Sequence, residues 1–190
     1  MILLVGLGNP TPDSNDNRHN IGFKIIDAIN QKFGLSKQKP KFKGLLTTGN
    51  IINKKVYAIK PLTFMNNSGV CIKELIDYFK IEVGNVIVFH DDIDIGLGSI
   101  KVKHGGSSAG HNGIESIDKC IGKEYSRVRI GIGVPDKKSM VPNHVLTDFN
   151  ENEQNTIDKI TSDIISSLSI LMDKQLDLFS SKVNQTKNEF

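Results

Sequence analysis

The chain has 190 residues and a formal charge of +3, with 38% hydrophobic and 24% charged side chains. A domain of that size buries roughly 70% of its unfolded surface, so it needs neither disulfides nor a metal to hold a core. The composition excludes wholesale disorder, and apolar runs of four or five residues, as at Ile2–Val5, are too short to span a membrane. Ile2–Val5 reads as a short buried strand that exits into the turn-rich segment 6–20. Ile21, Ile25, Ile29 and Phe33 then recur every fourth residue, with Ile26 beside them. That spacing predicts an amphipathic helix with Asn20 as its N-cap and Gly34 as its stop. Residues 45–52 and 56–59 flank a polar turn and predict a hairpin. A second helix is expected over 70–79.

Val86–Phe89 is a continuous apolar strand, of the kind buried on both faces. Residues 100–103 and 128–132 add strands, with a glycine-rich loop and a short helix (114–121) between them. Ile157, Ile160, Ile164, Leu168 and Leu171 form one apolar stripe, which predicts a long closing helix. Residues 181–190 are polar and are expected to fray. The alternation predicts an α/β fold: a single domain over 1–180, with a mixed, mostly parallel sheet surrounded by helices and a C-terminal amphipathic helix.

Charge is unevenly placed. Residues 1–150 hold 20 basic and 14 acidic side chains, a net +6, and residues 151–190 hold 4 and 7, a net −3. Only three of the cations are arginine: Arg18, Arg127 and Arg129. Mild basicity permits a nucleic-acid partner without establishing one. Two cysteines, Cys71 and Cys120, cannot build a disulfide framework and suit a reducing cytoplasm. The first residues lack a basic flank and a long apolar stretch, so no secretory signal is expected.

Five segments carry candidate chemistry. Gly6-Leu7-Gly8-Asn9-Pro10 follows the first strand, but Thr11 stands where a dinucleotide fingerprint needs glycine, and Pro10 removes a donor. The glycines are a tight strand exit. Asn9 stands at a strand's carboxyl end, where open α/β sheets bind ligands. Arg18-His19-Asn20 places a histidine before a helix N-terminus, which would lower its pKa and keep it basic; a lone loop histidine is otherwise an ordinary polar group. His90-Asp91-Asp92-Ile93-Asp94 crowds three carboxylates, open to three readings: a metal site, a solvated loop, or one carboxylate that orients a histidine. Lys101 and Lys103 share a strand face and lead through small residues to a helix start at Asn112, which suits an anion or is a plain surface loop. Thr63–Gly69 begins a helix and offers amides beside Phe64, with capping as the simpler role of Asn67 and Ser68.

Taken in order, GLGNP, RHNIG, FMNNSG, HDDID, GHNG and RVRIGIG closely resemble the bacterial-type peptidyl-tRNA hydrolases, from Val5 to about Leu146. The resemblance implies a monomeric, cytoplasmic enzyme with one catalytic domain and neither metal nor cofactor, membrane contact nor obligate protein partner. Its substrate would be peptidyl-tRNA released prematurely from the ribosome, cleaved at the ester to the 3′ ribose so that the tRNA is recycled. His19 would be the base, Asp91 its orienting carboxylate, and Asn9 the discriminator of N-blocked substrates. Phe64, Asn66 and Asn112 would contact substrate near the ester, and Lys103 and Arg129 would hold the tRNA 5′ phosphate. Departures from the family pattern fall at Ser14, where tyrosine is usual in the substrate-contacting loop, at Ser107-Ser108-Ala109, and at His144. Two other functions compete: a metal-dependent phosphoesterase built on Asp91, Asp92 and Asp94, and a non-catalytic RNA-binding relative.

Overall fold

Seven strands form one sheet in the order β2-β3-β4-β1-β5-β7-β6. They are β1 (Ile2–Gly6), β2 (Lys39–Lys41), β3 (Gly44–Ile51), β4 (Lys54–Pro61), β5 (Val86–Asp92), β6 (Ile100–His104) and β7 (Ser126–Gly131). The computed structural model describes residues 1–135 and 137–185. The central strands β4, β1, β5 and β7 are parallel, whereas β3 and β6 run antiparallel to their neighbours. The expected parallel character therefore belongs to the four-stranded centre, where β4, β1 and β5 are apolar on both faces and β7 is apolar on one, with Arg127 and Arg129 on the other. Strand β2 has no apolar pattern to announce it: Lys39, Pro40 and Lys41 are all exposed on the sheet edge, where lysine and proline discourage further pairing.

Alternation along the strands divides the core in two. Ile2 and Leu4 of β1, with Ile87 and Phe89 of β5, face helices α1 (Ile21–Phe33), α5 (Glu151–Ser166), α6 (Leu168–Met172) and α7 (Leu176–Gln185). Leu3, Val5, Val86 and Val88 face α2 (Ser68–Phe79) and α3 (Asn112–Ile121) on the other side. A five-residue helix, α4 (Val141–Val145), lies in the connection that follows β7.

Helix α1 stops as its sequence predicts, at Gly34 in the left-handed conformation (φ 59°). Asn20 stands at its N-cap but makes no side-chain bond to the helix, because its amide is engaged elsewhere. The long closing helix is instead three helices. Ser167 and the 173–175 turn interrupt it, while Ile157, Ile160, Ile164, Leu168 and Leu171 still keep one buried stripe. Residues 181–185, expected to fray, continue α7: Val183 is fully buried, and the Asn184 amide bonds both the N–H and the carbonyl of Ile100. The remainder of that expected tail, 186–190, lies outside the described residues.

The chain crosses from β1 through α1 to β4 on one side, and returns through α2 to β5 on the other. Their carboxyl ends meet at this reversal, where an α/β sheet opens a crevice.

Candidate active site

β5 ends in His90-Asp91-Asp92, all buried, and the strand's alternation sends Asp91 and Asp92 to opposite sides. Asp91 Oδ1 accepts a hydrogen bond from His19 Nδ1 at 2.8 Å. His19 belongs to a 3₁₀ turn, Arg18–Asn20, that enters α1. With Nδ1–H given to Asp91, Nε2 keeps its lone pair and has no protein partner among the described residues. Burial disfavours the charged imidazole, but the charge and hydrogen bond of Asp91 outweigh it and hold the His19 pKa above its ordinary 6.5. The neighbouring helix N-terminus was expected to lower that pKa; the carboxylate at 2.8 Å decides the sign instead. Asp91 itself is held well below the carboxylate range: desolvation pushes it up, and the two histidines on its Oδ1 more than reverse this.

The second of these is His111, which the sequence reading did not assign to the site. Its Nε2 lies 3.0 Å from Asp91 Oδ1. A third ring, His90, is buried behind the others and donates from Nδ1 to the Asp91 carbonyl at 2.8 Å. Burial, then the neighbouring His111, lower its pKa to about 3.

Two further elements complete the arrangement. Arg18 is buried with its guanidinium on Glu153 (2.7 Å) and the Ile132 carbonyl (3.1 Å), and it tethers the His19 turn to α5 and to the chain after β7. Asn20 Oδ1 accepts from the Asn9 N–H (2.8 Å) and its Nδ2 donates to the Asn9 carbonyl (2.9 Å). Asn9 Oδ1 in turn accepts from Met65 N–H (3.0 Å). Asn20 thus fixes the Asn9 backbone and Met65 holds its side-chain amide through Oδ1, while Asn9 Nδ2 has no protein partner among the described residues.

His19, Asp91, His111 and Asn112 line one cleft of about 280 Å³, walled by the 108–110 loop and by Val141, Pro142 and Val145 of α4. Phe64 and Asn66 are exposed on the segment that Asn9 anchors, outside this lining. Ser14 is placed elsewhere: it is buried in a 3₁₀ turn, with its hydroxyl 2.7 Å from that of Thr11, and does not line the cleft. Lys103 and Arg129 meet in a separate pocket of about 130 Å³, with His90, Asp92, Arg127 and the 107–109 loop. Arg127 is committed there to structure, through Ser107 O (2.9 Å), Gly106 O (3.0 Å) and Asp118 (2.9 Å).

The aspartate cluster does not act as a unit. Asp91 serves the histidines, Asp92 pairs with Arg129 Nε at 2.6 Å, and Asp94 is exposed. His19, Asp91 and His111 do place three ligand atoms within 4.8 Å of one another. Their protons make them poor ligands. His111 Nδ1 accepts from the N–H groups of Gly113 (3.1 Å) and Ile114 (3.3 Å), so the nitrogen facing Asp91 carries the hydrogen. Ligation there would need an imidazolate or a broken helix cap. The metal reading is not supported.

A buried carboxylate that fixes an imidazole, with the outer nitrogen left open to a cleft at the crevice of an α/β sheet, is an arrangement suited to a hydrolase. The comparisons agree and go further. A family model described as peptidyl-tRNA hydrolase matches residues 3–189. A peptidyl-tRNA hydrolase of Pelagibacter ubique is 73% identical over 184 residues, covering 97% of this chain and 99% of that protein. One from Ehrlichia ruminantium is 44% identical over 181 residues, covering 95% and 93%. The crystal structure of the Acinetobacter baumannii peptidyl-tRNA hydrolase superposes with a TM-score of 0.91 at 35% identity, covering 97% of this chain and 94% of that one. The chain belongs to the peptidyl-tRNA hydrolase family.

Proposed function

We propose that His19 is the general base with which this enzyme hydrolyses the ester between a peptide and the 3′ ribose of tRNA. The observation that carries this reading is the His19–Asp91 hydrogen bond of 2.8 Å, which leaves Nε2 open to the cleft. Water gives a proton to Nε2 as its oxygen bonds the ester carbonyl carbon. The carbon–ribose oxygen bond then breaks and the ribose oxygen takes that proton from His19, leaving a 3′-terminal hydroxyl and a peptide carboxylic acid, which loses its own proton to solvent. Neutral donors suit the developing oxyanion, and the amide of Asn112 in the cleft lining supplies one without added charge. Ser108 is the one hydroxyl of the cleft lining and bonds neither histidine among the described residues, so water attacks directly, without an acyl-enzyme.

Asn9 Nδ2 is the group that favours N-blocked substrates, and Phe64 and Asn66 meet the peptide beside it. The test is hydrolysis of N-acetylated aminoacyl-tRNA beside the unblocked form. Rapid cleavage of the first alone fits; equal rates would remove Asn9 as the discriminator.

Because Asp91 holds the His19 pKa above 6.5, kcat/KM should fall as the pH drops through a value above 6.5. The protonated imidazole cannot accept the proton of water. A pH–rate profile that stays flat through weak acid would remove His19 as the base.

Lys103 and Arg129 form the phosphate site of the tRNA end. Arg129 gives only Nε to Asp92, and among the described residues its other guanidinium nitrogens have no partner, which leaves them to an anion. Lys103→Ala should weaken tRNA binding and reduce the slope of log K against log salt by about one, as for the loss of one phosphate contact. An unchanged slope would take Lys103 out of the site.

We infer further that the enzyme acts as a cytoplasmic monomer on peptidyl-tRNAs shed by the ribosome, and so returns tRNA to translation. The two free cysteines support a reducing compartment; burial pushes the Cys71 thiol up to about 12, which keeps it inert. No helix among the described residues is long and apolar enough to cross a membrane.

A further inference from the structure

His111 has two bonding duties on opposite sides of one ring. Its Nδ1 caps α3 by accepting the N–H groups of Gly113 and Ile114. A ring nitrogen that accepts two N–H groups carries no hydrogen, so the proton sits on Nε2 and is donated to Asp91. The receiving oxygen, Oδ1, is the same one that holds His19 Nδ1–H. Capping alone does not call for imidazole, since Ser, Asp and Asn cap better. What imidazole adds is the second nitrogen, 3.0 Å from a carboxylate that is 2% exposed.

We propose that His111 is a positioning residue for the ester hydrolysis, a donor locked by the helix cap that fixes the Asp91 carboxylate and draws off part of its charge. This rests on His19 being the base. With His111 in place, the negative charge that Asp91 presents to His19 is shared, so the imidazolium is stabilised less than by a bare carboxylate. The base therefore sheds its proton more readily than it would beside a bare carboxylate, and is freer to accept one from water. The ring also keeps Asp91 from swinging as His19 changes charge.

The other ionisable groups around the pair are accounted for. Asp92 of β5 is turned to Arg129 of β7. Arg18 is turned to Glu153 of α5. His90 is buried behind His111, with ring centroids 4.8 Å apart. Asp94 is an exposed member of the cleft lining. No arginine or lysine lines the cleft among the described residues, so His111 is the one cleft group besides His19 that donates to the Asp91 carboxylate.

His111→Asn separates the two duties. Asparagine caps a helix well but is too short to reach Asp91. The acid limb of the kcat/KM profile should move up by about one pH unit, roughly a tenfold loss of rate below the limb. The rate should recover towards wild type in mild alkali, with KM little changed. A profile of unchanged shape, or one lowered equally at every pH, would make His111 a cap only and overturn the proposal. The wild-type enzyme gives a second test that needs no variant to fold. Nitrogen-15 spectra of its histidines should show His111 protonated at Nε2 and bare at Nδ1, and the opposite tautomer would overturn the lock. Full activity in a His19→Ala variant would instead overturn the base itself, so the two failures are distinguishable.

Discussion

Replacing His19 with alanine should lower turnover of N-acetylated aminoacyl-tRNA by about 10²–10⁴, the usual contribution of a positioned general base. Affinity for tRNA should change little, because the groups that meet phosphate lie in the pocket of Lys103 and Arg129, separate from His19. The loss should be in kcat rather than KM. The fold should survive, since among the described residues the His19 side chain hydrogen-bonds only to Asp91, and the turn that carries it is tethered independently by Arg18 and Asn20. Single-turnover hydrolysis beside a filter-binding measurement separates the two effects. Wild-type turnover in the variant would defeat the mechanism, and equal losses of binding and rate would place His19 in substrate binding instead.

The second large effect is on folding. A Cβ on Gly22 would lie 2.3 Å from Leu7 N, 2.4 Å from Phe89 O and 2.6 Å from Leu7 O, all backbone atoms. The reverse contact is as tight, because a Cβ on Gly6 would lie 2.1 Å from Gly22 O. Helix α1 thus enters in direct backbone contact with the end of β1, next to the Leu7 N–H bond to Phe89 O (3.0 Å) that joins β1 to β5. Nothing there can rotate aside. Gly22→Ala should destabilise the protein by about 3 kcal/mol or more, at the upper end of overpacking. The melting temperature should fall by roughly 6–12 °C. Residual activity should fall further than the folded fraction, since the displaced helix begins two residues after His19. A melting temperature within a degree of wild type would show that the contact relaxes freely.

Much of this architecture is legible because local rules agreed with the global one. The four-residue spacing of Ile21, Ile25 and Ile29 with Gly34 after it gave α1, and the apolar run at Val86 gave the central strand. Where the chain departs, a tertiary contact overrides the local signal. Asn20 occupies a capping position, yet its amide is taken by Asn9. Ser167 lies inside an unbroken apolar stripe, and the helix breaks there without disturbing the stripe. Edge strand β2 needs only backbone pairing to Gly44–Leu46, which lysine and proline do not advertise.

The site was legible to a different degree. His19 and Asp91 are 72 positions apart, and no spacing rule connects them; the family resemblance did. His111 sat in view as the residue before an apolar helix that lacks a serine, threonine or aspartate cap. That signal identifies a cap, but its second bond depends on where β5 ends in space. The sign of the His19 shift is hidden from local sequence for a similar reason. The effect of a helix end is modest, and a contact at 2.8 Å with a buried carboxylate outweighs it.

Strand β5 carries one more implication. Its alternation turns Asp91 to His19 and the adjacent Asp92 to Arg129. On the roles proposed above, the two ends of the acceptor stem are thus registered against consecutive residues of a central strand, with no hinge between them. The enzyme then behaves as a fixed gauge rather than a pair of jaws. It measures the offset between the esterified ribose and the opposite strand's terminal phosphate, and an RNA of the right chemistry but the wrong overhang would fill one station and miss the other.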